Sequence, residues 1–273
     1  MELILQRHPP KTSLTDWRFI DSGNCDAFRN MAIDEAIALS VRKGDQPPTL
    51  RFYGWETRSV SLGLFQRIAD VNAGYCERHN IPVVRRPTGG RAILHRDELT
   101  YSFSSPDEGY FSCGLLETYR LISTPFHKAL SRAGLNSEVK GEREAGRNLI
   151  RSPLCFQSTS YAEISHDNEK LIGSAQKRWS NGFLQQGSIP YTVDAEALRN
   201  VFAINGDQVS GMTGLNMIIP AFDDEAFKRA IKEAFEEVFN VRLINSGLSP
   251  QEADLAGMLE ATKYRSHHWN LRR

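Results

Sequence analysis

The sequence contains few cysteines and no long apolar run. Four cysteines occur among 273 residues, and none of them forms a Cys-x-x-Cys pair. This spacing argues against a zinc site and a disulfide framework, so we expect no metal and a reducing, cytoplasmic location. No run of about 18 apolar residues occurs, so no membrane span is expected. The N-terminal segment also lacks the charged and apolar regions of a secretory signal.

The chain also lacks an excess of charge of either sign. Lysine and arginine total 33, aspartate and glutamate total 33, and the formal net charge is zero. This balance gives no reason to expect nucleic-acid binding, although local basic clusters can still dock an acidic partner. Because internal repeats, low-complexity tracts and Pro/Ser-rich linkers are absent, we expect a single domain over 1–273, with a helical C-terminal segment from about 222 to 273.

Hydrophobic periodicity and capping signals predict both helices and strands. Predicted helices cover 26–44, 115–135, 224–239 and a last helix opened by the capping box of Ser249, Pro250, Gln251 and Glu252. Predicted strands cover 49–56, 59–65, 81–86, 91–95, 99–104, 160–165, 170–179 and 182–190. The first two strands are expected to pair. Because the elements neither alternate strictly nor segregate, the fold class is α+β with a mixed β-sheet packed with helices.

A first cluster of candidate residues lies in VVRRPTGGRAILH, from 83 to 95. Gly89 and Gly90 leave the backbone bare, so a ligand can approach its N–H groups closely. The neighbouring arginines, Arg85, Arg86 and Arg91, offer positive charge to a carbonyl, carboxylate or phosphate. The alternative is an ordinary Gly-rich hairpin turn with a solvated basic rim.

A second cluster joins Cys155 to the segment EKLIGSAQKRW, which begins at Glu169. If HDNE turns the chain into a hairpin, Cys155 and Lys170 lie towards neighbouring strand ends. A nearby ammonium group stabilises a thiolate, and it can equally orient an acyl carbonyl. The alternative is a buried structural cysteine and a solvated lysine at a turn.

These segments resemble the lipoate-protein ligase and octanoyltransferase family. The resemblance rests on RRPTGGRAILH, KLIGSAQKR and LQQGSIP, together with NMAIDEA (30–36), LRFYGW and TKYRSHHW, and it covers nearly the whole chain in order. It implies the catalytic fold shared with biotin protein ligases. Within the family, LCF at 154–156 resembles the cysteine-dependent octanoyltransferase branch of the LipM type.

The resemblance implies a role for individual residues of this chain. Cys155 would take octanoate as a thioester, and Lys170 would orient the acyl carbonyl. The remaining residues would bind the acyl chain: Arg86, Thr88, Gly89, Gly90 and His95 in the loop, and Gly173, Ser174 and Ala175 on the facing strand. No cofactor is implied. The proton of the incoming lysine would pass either to the departing Cys155 thiolate or to His95, and the sequence does not separate these two.

The implied partners are acyl carrier protein as octanoyl donor and a lipoyl-domain protein, such as glycine cleavage H protein, as acceptor. Since acyl carrier proteins are acidic, a basic surface is expected at the mouth of the acyl tunnel, formed by Arg85, Arg91, Arg96, Lys177 and Arg178.

Three rival functions follow from the same residues. An amidotransferase between lipoyl-domain proteins would use the same cysteine and lysine. An ATP-dependent lipoate ligase is disfavoured by Arg91, which stands where such ligases carry a small residue, by Cys155, and by the short segment after Pro220. A non-catalytic acyl-binding protein is disfavoured by Cys155 and Lys170, and a biotin ligase by the lack of a GRGRxG-type loop.

Overall fold

The computed structural model describes residues 14–139, 164–204 and 211–272. Cys155 and the 141–152 segment therefore lie outside the described residues. Within the described ranges, no helix has both the length and the apolar composition needed to cross a bilayer.

The strands and helices of the described ranges follow each other in mixed order. The strands are β1 (Thr15–Cys25), β2 (Thr49–Trp55), β3 (Ser59–Leu62), β4 (Val83–Arg85), β5 (Ile93–His95), β6 (Glu98–Ser105), β7 (Glu138–Val139), β8 (Ile164–His166), β9 (Glu169–Trp179), β10 (Gly182–Pro190) and β11 (Val241–Asn245). The α-helices are α1 (Ala27–Lys43), α2 (Ala73–Arg78), α3 (Leu115–Arg132), α4 (Ala195–Phe202), α5 (Leu215–Ile218), α6 (Asp224–Phe239), α7 (Pro250–Leu259) and α8 (His267–Asn270). Short 3-10 turns cover Ile68–Asp70 and Gly109–Phe111, and a π-helical turn covers Glu260–Tyr264.

The larger of two sheets forms the centre of the fold. Its spatial order is β11-β1-β2-β6-β10-β9-β8-β7. Strand β1 runs parallel to β11 and β2, whereas the other neighbouring strands are antiparallel. Helices α3 and α6 pack together beside an aromatic core, and α1 packs against α7. The predicted α+β class with a mixed sheet is therefore confirmed.

The smaller sheet excludes the alternative of a hairpin at the Gly-Gly turn and corrects one expected strand pairing. Strand β3 lies in its middle, parallel to β4 and antiparallel to β5. The segments on either side of the Gly-Gly turn therefore do not form a hairpin, because β3 separates them. Strands β2 and β3, which were expected to pair, belong to different sheets. The expectation that β2 pairs with β3 rested on their nearness in the sequence. It is wrong because β3 pairs on both edges with later strands, β4 and β5.

Local signals at the ends of the elements are confirmed. The Asp26 carboxylate accepts from two backbone N–H groups at the start of α1, and Gly44 ends this helix with a φ of 80°. Ser249 and Glu252 form the predicted capping box with Pro250 in the first turn of α7. The turn at HDNE joins β8 to β9, with Ser165 opposite Lys170. Each of these features depends only on residues close together in the chain.

A buried carboxylate joins α1 to the central sheet. Asp34 Oδ1 accepts from Arg51 Nη1 and from Ser102 Oγ, both at 2.7 Å. Asp34 Oδ2 accepts from Tyr53 Oη at 2.9 Å and from Gln186 Nε2 at 2.7 Å. The side chains of Asp34 and Arg51 are both fully buried. Since every carboxylate oxygen has two donors, this charge is stable in the core only as part of the network.

Replacing Asp34 by alanine should lower the free energy of unfolding by about 3–5 kcal/mol, because Arg51 would be left as an unpaired buried charge. Urea denaturation checks this value. The control is Asp16→Ala, which removes the exposed partner of Arg242 and should cost at most about 1 kcal/mol. A loss below about 1 kcal/mol for Asp34→Ala would contradict the importance of this network.

Candidate functional site

A narrow pocket lies between the two sheets. Its lining comes from α1, from strands of both sheets and from the segment after β4: Met31, Tyr53, Trp55, Ser61, Arg86, Ile93, His95, Thr100, Gly173, Ser174, Ala175, Gln186, Gly187 and Ser188. The cavity volume is about 20 Å³, far below the roughly 300–1,000 Å³ of a typical ligand pocket. An elongated ligand therefore enters only if some of these side chains move.

Five of the eight residues expected to bind an acyl chain line this pocket. They are Arg86, His95, Gly173, Ser174 and Ala175. The other three, Thr88, Gly89 and Gly90, form the adjoining loop. A Cβ added to Gly90 would lie 3.5 Å from the Ala175 Cβ, so the loop and β9 do face each other.

Arg86 organises the Gly-Gly loop from within. Its guanidinium donates to the carbonyl oxygens of Gly89 at 2.7 Å, Arg91 at 2.7 Å and Ser61 at 3.0 Å. It also donates to Ser61 Oγ at 3.1 Å. Because these carbonyl oxygens accept hydrogen bonds from the guanidinium and stabilise its charge, Arg86 needs no bound anion to stay in place.

Arg85 was expected at a basic tunnel mouth, but it does not form part of an exposed surface. This side chain is fully buried and donates to carbonyl oxygens of two separate segments. These acceptors are Gly63, Leu64 and Gln66 on one side, and Trp269, Asn270 and Arg272 on the other. Arg178 is also mostly buried and forms an ion pair with Asp107. Of the other expected residues, Arg96 is exposed, whereas Arg91 and Lys177 are partly buried.

The loop requires glycine for steric as well as conformational reasons. Gly90 has a φ of 86°, in the left-handed region that favours glycine. A Cβ on Gly63 would lie 1.9 Å from the Gly90 carbonyl oxygen, so the two loops touch through bare backbone. Thr88 Oγ1 donates to Gln186 Oε1 at 2.8 Å. Since Gln186 also donates to Asp34, the buried network of the core reaches the loop.

His95 is held on three sides. Its Nε2 lies 2.7 Å from Ser61 Oγ, and its Nδ1 lies 2.8 Å from Glu98 Oε1. The Trp55 ring stacks on the imidazole, with centroids 3.9 Å apart and an angle of 12° between the planes. Burial alone would raise the pKa of Glu98, but the charge of His95 and hydrogen bonds from His95, Thr100 and Ser188 outweigh it, so the pKa lies below its usual value. Glu98 is therefore a carboxylate at neutral pH.

Lys170 is buried, with 1% of its surface exposed, at the start of β9. This position rules out the solvated lysine that a turn usually carries. Its backbone N–H donates to the Gly211 carbonyl at 3.0 Å. Three residues further along the same strand, roughly 10 Å at ~3.3 Å per residue, Gly173 begins the stretch that lines the pocket.

Two of the remaining cysteines, Cys25 and Cys76, differ in setting from a reactive thiol. Burial raises the pKa of Cys25, and it raises the pKa of Cys76 to about 11. Both are therefore protonated thiols at neutral pH, whereas the thiolate is the nucleophilic form. Cys113 is exposed. In the part of the chain that the structure describes, no three His, Cys, Asp or Glu residues lie close enough to hold a metal ion.

Several residues in and beside the pocket were not expected from the sequence. Ser61 and Glu98 reach His95, and Met31, Tyr53 and Trp55 complete the wall. One signal was available, because LQQGSIP places Gln185 and Gln186 inside a strand that is buried along its whole length. Buried amides are hydrogen-bonded in native proteins, so they indicate a polar network nearby.

Replacing Arg85 by methionine should lower the free energy of unfolding by about 3 kcal/mol or more, because buried carbonyls without a donor cost about 1–3 kcal/mol each. Urea denaturation measures the loss. Arg96→Met is the control, since its side chain is exposed and surface substitutions change stability by about 0.5 kcal/mol or less. Equal effects of the two substitutions would contradict a structural role for Arg85.

Solved structures with this fold are lipoate-protein ligases. The bi-partite lipoate protein ligase of Thermoplasma acidophilum superposes with a TM-score of 0.78 at 21% identity, covering 95% of this chain and 98% of that one. A lipoate-protein ligase A bound with ATP has a TM-score of 0.80 at 22% identity, covering 94% and 99%. At these identities the likeness establishes the fold.

Curated relatives are similar over nearly their whole length. The octanoyltransferase LipM of Bacillus subtilis (strain 168) is 36% identical over 275 residues, which cover 94% of this chain and 98% of the relative. That of Clostridioides difficile (strain 630) is 34% identical, covering 95% of this chain and 100% of the relative. The family model of the lipoyl protein ligase A/B catalytic domain matches residues 26–236. This chain therefore belongs to the lipoyl protein ligase A/B catalytic domain family.

Proposed function

We propose that this protein is an octanoyltransferase of lipoate biosynthesis, acting as one catalytic domain. It moves an octanoyl group from acyl carrier protein to a specific lysine of a lipoyl-domain protein, such as glycine cleavage H protein. The observation that carries this proposal is the similarity to proteins named octanoyltransferase LipM, at 34–36% identity over nearly the full length.

The pocket supports an acyl ligand through its shape and its walls. It is narrow, and small residues such as Gly173, Ala175 and Gly187 line one side. Small side chains leave room beside the strand backbone for an unbranched chain. The ionisable groups Arg86 and His95 lie beside Ser61 at the smaller sheet. The larger sheet adds neutral polar groups, at Tyr53, Thr100, Ser174, Gln186 and Ser188. An acyl ligand whose polar head lies towards Arg86 fits this distribution.

The proposed chemistry uses Cys155 as the acyl acceptor. Its thiolate attacks the donor thioester, a new C–S bond forms, the old one breaks, and the carrier leaves as a thiol. One thioester replaces another, so this exchange needs no ATP. The lysine amine then attacks the acyl-cysteine, and an amide replaces the thioester. Covalent catalysis divides the encounter of two protein substrates into two separate visits.

Lys170 is proposed to stabilise the oxygen of the reacting carbonyl. A buried ammonium group lies in a low-dielectric environment, where its attraction for a developing oxyanion is stronger than in water. Its burial at the start of β9, in the strand that goes on to line the pocket, supports this role.

Mixing the protein with octanoyl-acyl carrier protein, without ATP, should add one octanoyl group that hydroxylamine removes. Intact-protein mass spectrometry measures the adduct. The Cys155→Ala variant should form none and should not transfer octanoate to H protein, because the acyl acceptor is gone. Cys113→Ala is the matched control, since this cysteine is exposed and lies outside the pocket, and it should acylate as the wild type does.

The same assay separates the rival functions. An equal adduct on Cys155→Ala would contradict the proposed nucleophile. If octanoylated H protein acylates the enzyme and acyl carrier protein does not, the protein is an amidotransferase. If transfer requires ATP and free octanoate, it is a ligase.

Replacing Lys170 by methionine should lower the rate of octanoyl transfer by about 10²–10³-fold, the effect of removing one donor to a reacting oxyanion. Single-turnover transfer to H protein provides the measurement. The control is Lys128→Met on α3, which pairs with Glu237 at the surface and should transfer at the wild-type rate. A Lys170→Met variant that is folded and within threefold of the wild-type rate would remove Lys170 from the mechanism.

A further inference from the structure

Ser61, His95 and Glu98 form a continuous chain of hydrogen bonds at the edge of the pocket. The Ser61 Oγ–His95 Nε2 distance is 2.7 Å, and the His95 Nδ1–Glu98 Oε1 distance is 2.8 Å. All three residues are buried, with 1%, 3% and 8% of their surfaces exposed. The order of hydroxyl, imidazole and carboxylate is the one in which a carboxylate fixes the tautomer of a histidine that acts as a base.

The partners around this chain set the direction of each hydrogen bond. Glu98 Oε1 accepts from Thr100 Oγ1, and Glu98 Oε2 accepts from Ser188 Oγ at 2.9 Å. In the neutral form of His95 that carries its hydrogen on Nδ1, this hydrogen is donated to Glu98, and Nε2 keeps a lone pair. Ser61 Oγ accepts from Arg86 Nη1 at 3.1 Å and, in this form, can donate its own hydrogen to His95 Nε2.

The surrounding aromatic residue prevents the imidazole from turning. Trp55 stacks on the His95 ring at 3.9 Å, and Trp55 Nε1 donates to Thr100 Oγ1 at 2.8 Å. Thr100 in turn donates to Glu98, so the stacking residue and the carboxylate are linked. Ser61 and His95 both line the acyl pocket, whereas Glu98 does not. The relay thus presents its hydroxyl end, and not its carboxylate, to the pocket.

We propose that Ser61, His95 and Glu98 form a proton relay that takes the proton of the acceptor lysine when this amine attacks the acyl-cysteine. The inference rests on the proposed function and assigns the base that this reaction requires. Lysine has an ordinary pKa of about 10.4. Its amine therefore reacts efficiently near neutral pH only if its proton is removed, and a positioned base contributes about 10²–10⁴-fold to such a step.

The step removes two protons from the acceptor nitrogen. The lysine ammonium gives one proton to Ser61 Oγ, while the Ser61 proton moves to His95 Nε2, and the free amine nitrogen then bonds to the acyl carbon. The C–S bond breaks, and Cys155 leaves as a thiol with the second proton, which the nitrogen loses on becoming an amide. Glu98 stays ionised and stabilises the imidazolium until the imidazolium releases the first proton to water. The products are an amide, a thiol and one proton, with no other reactant.

The charged and titratable groups around this relay are the following. Arg86 contacts Ser61, and Glu98 contacts His95. Tyr53 lines the same pocket, but burial and then Asp34 raise its pKa well above the usual value, so it stays neutral. Behind it, Asp34 and Arg51 form an ion pair. On the outer side of Glu98, an adjoining pocket is lined by the charged residues Arg58, Arg96, Asp97 and Asp194.

Glu98→Gln tests the relay through its charge. A glutamine amide keeps the shape of the side chain but carries no negative charge, so the imidazolium that forms when His95 takes a proton is no longer stabilised. Acyl-enzyme formation from octanoyl-acyl carrier protein should stay within about threefold of the wild type. Transfer from the acyl-enzyme to H protein should fall by about 10²–10⁴-fold. In single-turnover assays from pH 6 to 9, this second step should rise by about tenfold per pH unit, since only free amine reacts, whereas the wild type should level off.

A buried glutamate in another part of the fold provides the matched control. Glu252 is buried, with 1% of its surface exposed, and forms an ion pair with Arg18. Glu252→Gln should lower stability, with both half-reactions and the pH profile unchanged in the folded protein. If Glu98→Gln slows both half-reactions equally and keeps the wild-type pH profile, Glu98 is structural and the relay is wrong.

Chemical rescue keeps the test decisive if Glu98→Gln folds poorly. His95→Ala leaves a space beside Trp55, and added imidazole should restore transfer by at least about tenfold as a replacement base. His127→Ala is the control, since His127 also hydrogen-bonds a serine, with 2.8 Å between Nδ1 and Ser137 Oγ, yet lies outside the pocket. It should transfer normally and should not respond to imidazole.

The failure of the relay can be distinguished from the failure of the proposed function. An acyl-enzyme that forms in His95→Ala but shows no imidazole response would overturn the relay alone. A wild-type protein that forms no acyl-enzyme with any octanoyl donor would overturn the proposed function itself.

Discussion

The carboxylate of Asp34 is the interaction on which the arrangement of the site depends. It receives four hydrogen bonds, from β2, β6 and β10. One of its donors, Gln186, also holds Thr88, so the charge in the core controls the position of the Gly-Gly loop. A buried charge that is fully satisfied allows one geometry, because any other arrangement leaves it without donors. The hydrogen-bonding groups beside the pocket are therefore held in place by the core, although a ligand enters only when some lining side chains move.

The arginines of the loop contribute to the same rigidity. Arg85 joins the 63–66 segment to the C-terminal residues 269–272, and Arg86 gathers the carbonyls of Ser61, Gly89 and Arg91. Their charges point inward, to backbone oxygen atoms. The C-terminal segment is anchored in addition by Glu35, which accepts from Lys263 and Tyr264. Residues far apart in the sequence thus hold one wall of the pocket.

Rigidity of this kind suits the reaction that we propose, with two protein substrates. In that reaction the carrier and the acceptor approach in turn, so the enzyme's own groups must keep their positions between visits. His95 illustrates how this is achieved, because its face rests on Trp55 and both of its ring nitrogens are engaged. Groups that need no reorganisation at the moment of reaction are the ones that stabilise charge most effectively.

Local chemistry in the sequence was sufficient for much of the fold. The caps of α1 and α7, the turn before Lys170 and the strand 182–190 depend on neighbouring residues, and the sequence predicted them. The motifs also indicated the family, and five of the eight expected acyl-binding residues line one pocket. The role of Cys155 stays a prediction, since this residue lies outside the described ranges.

The tertiary structure decided the rest. It separated β2 from β3 and placed β3 between β4 and β5. It also buried Arg85, whose hydrogen bonds join two separate segments. It also brought Ser61, 34 residues before His95, within 2.7 Å of the imidazole. Strand pairing and buried hydrogen bonds connect residues that are distant in the chain, and such contacts depend on how whole elements pack. Periodicity and spacing describe one segment at a time, so they carry no information on which segments meet.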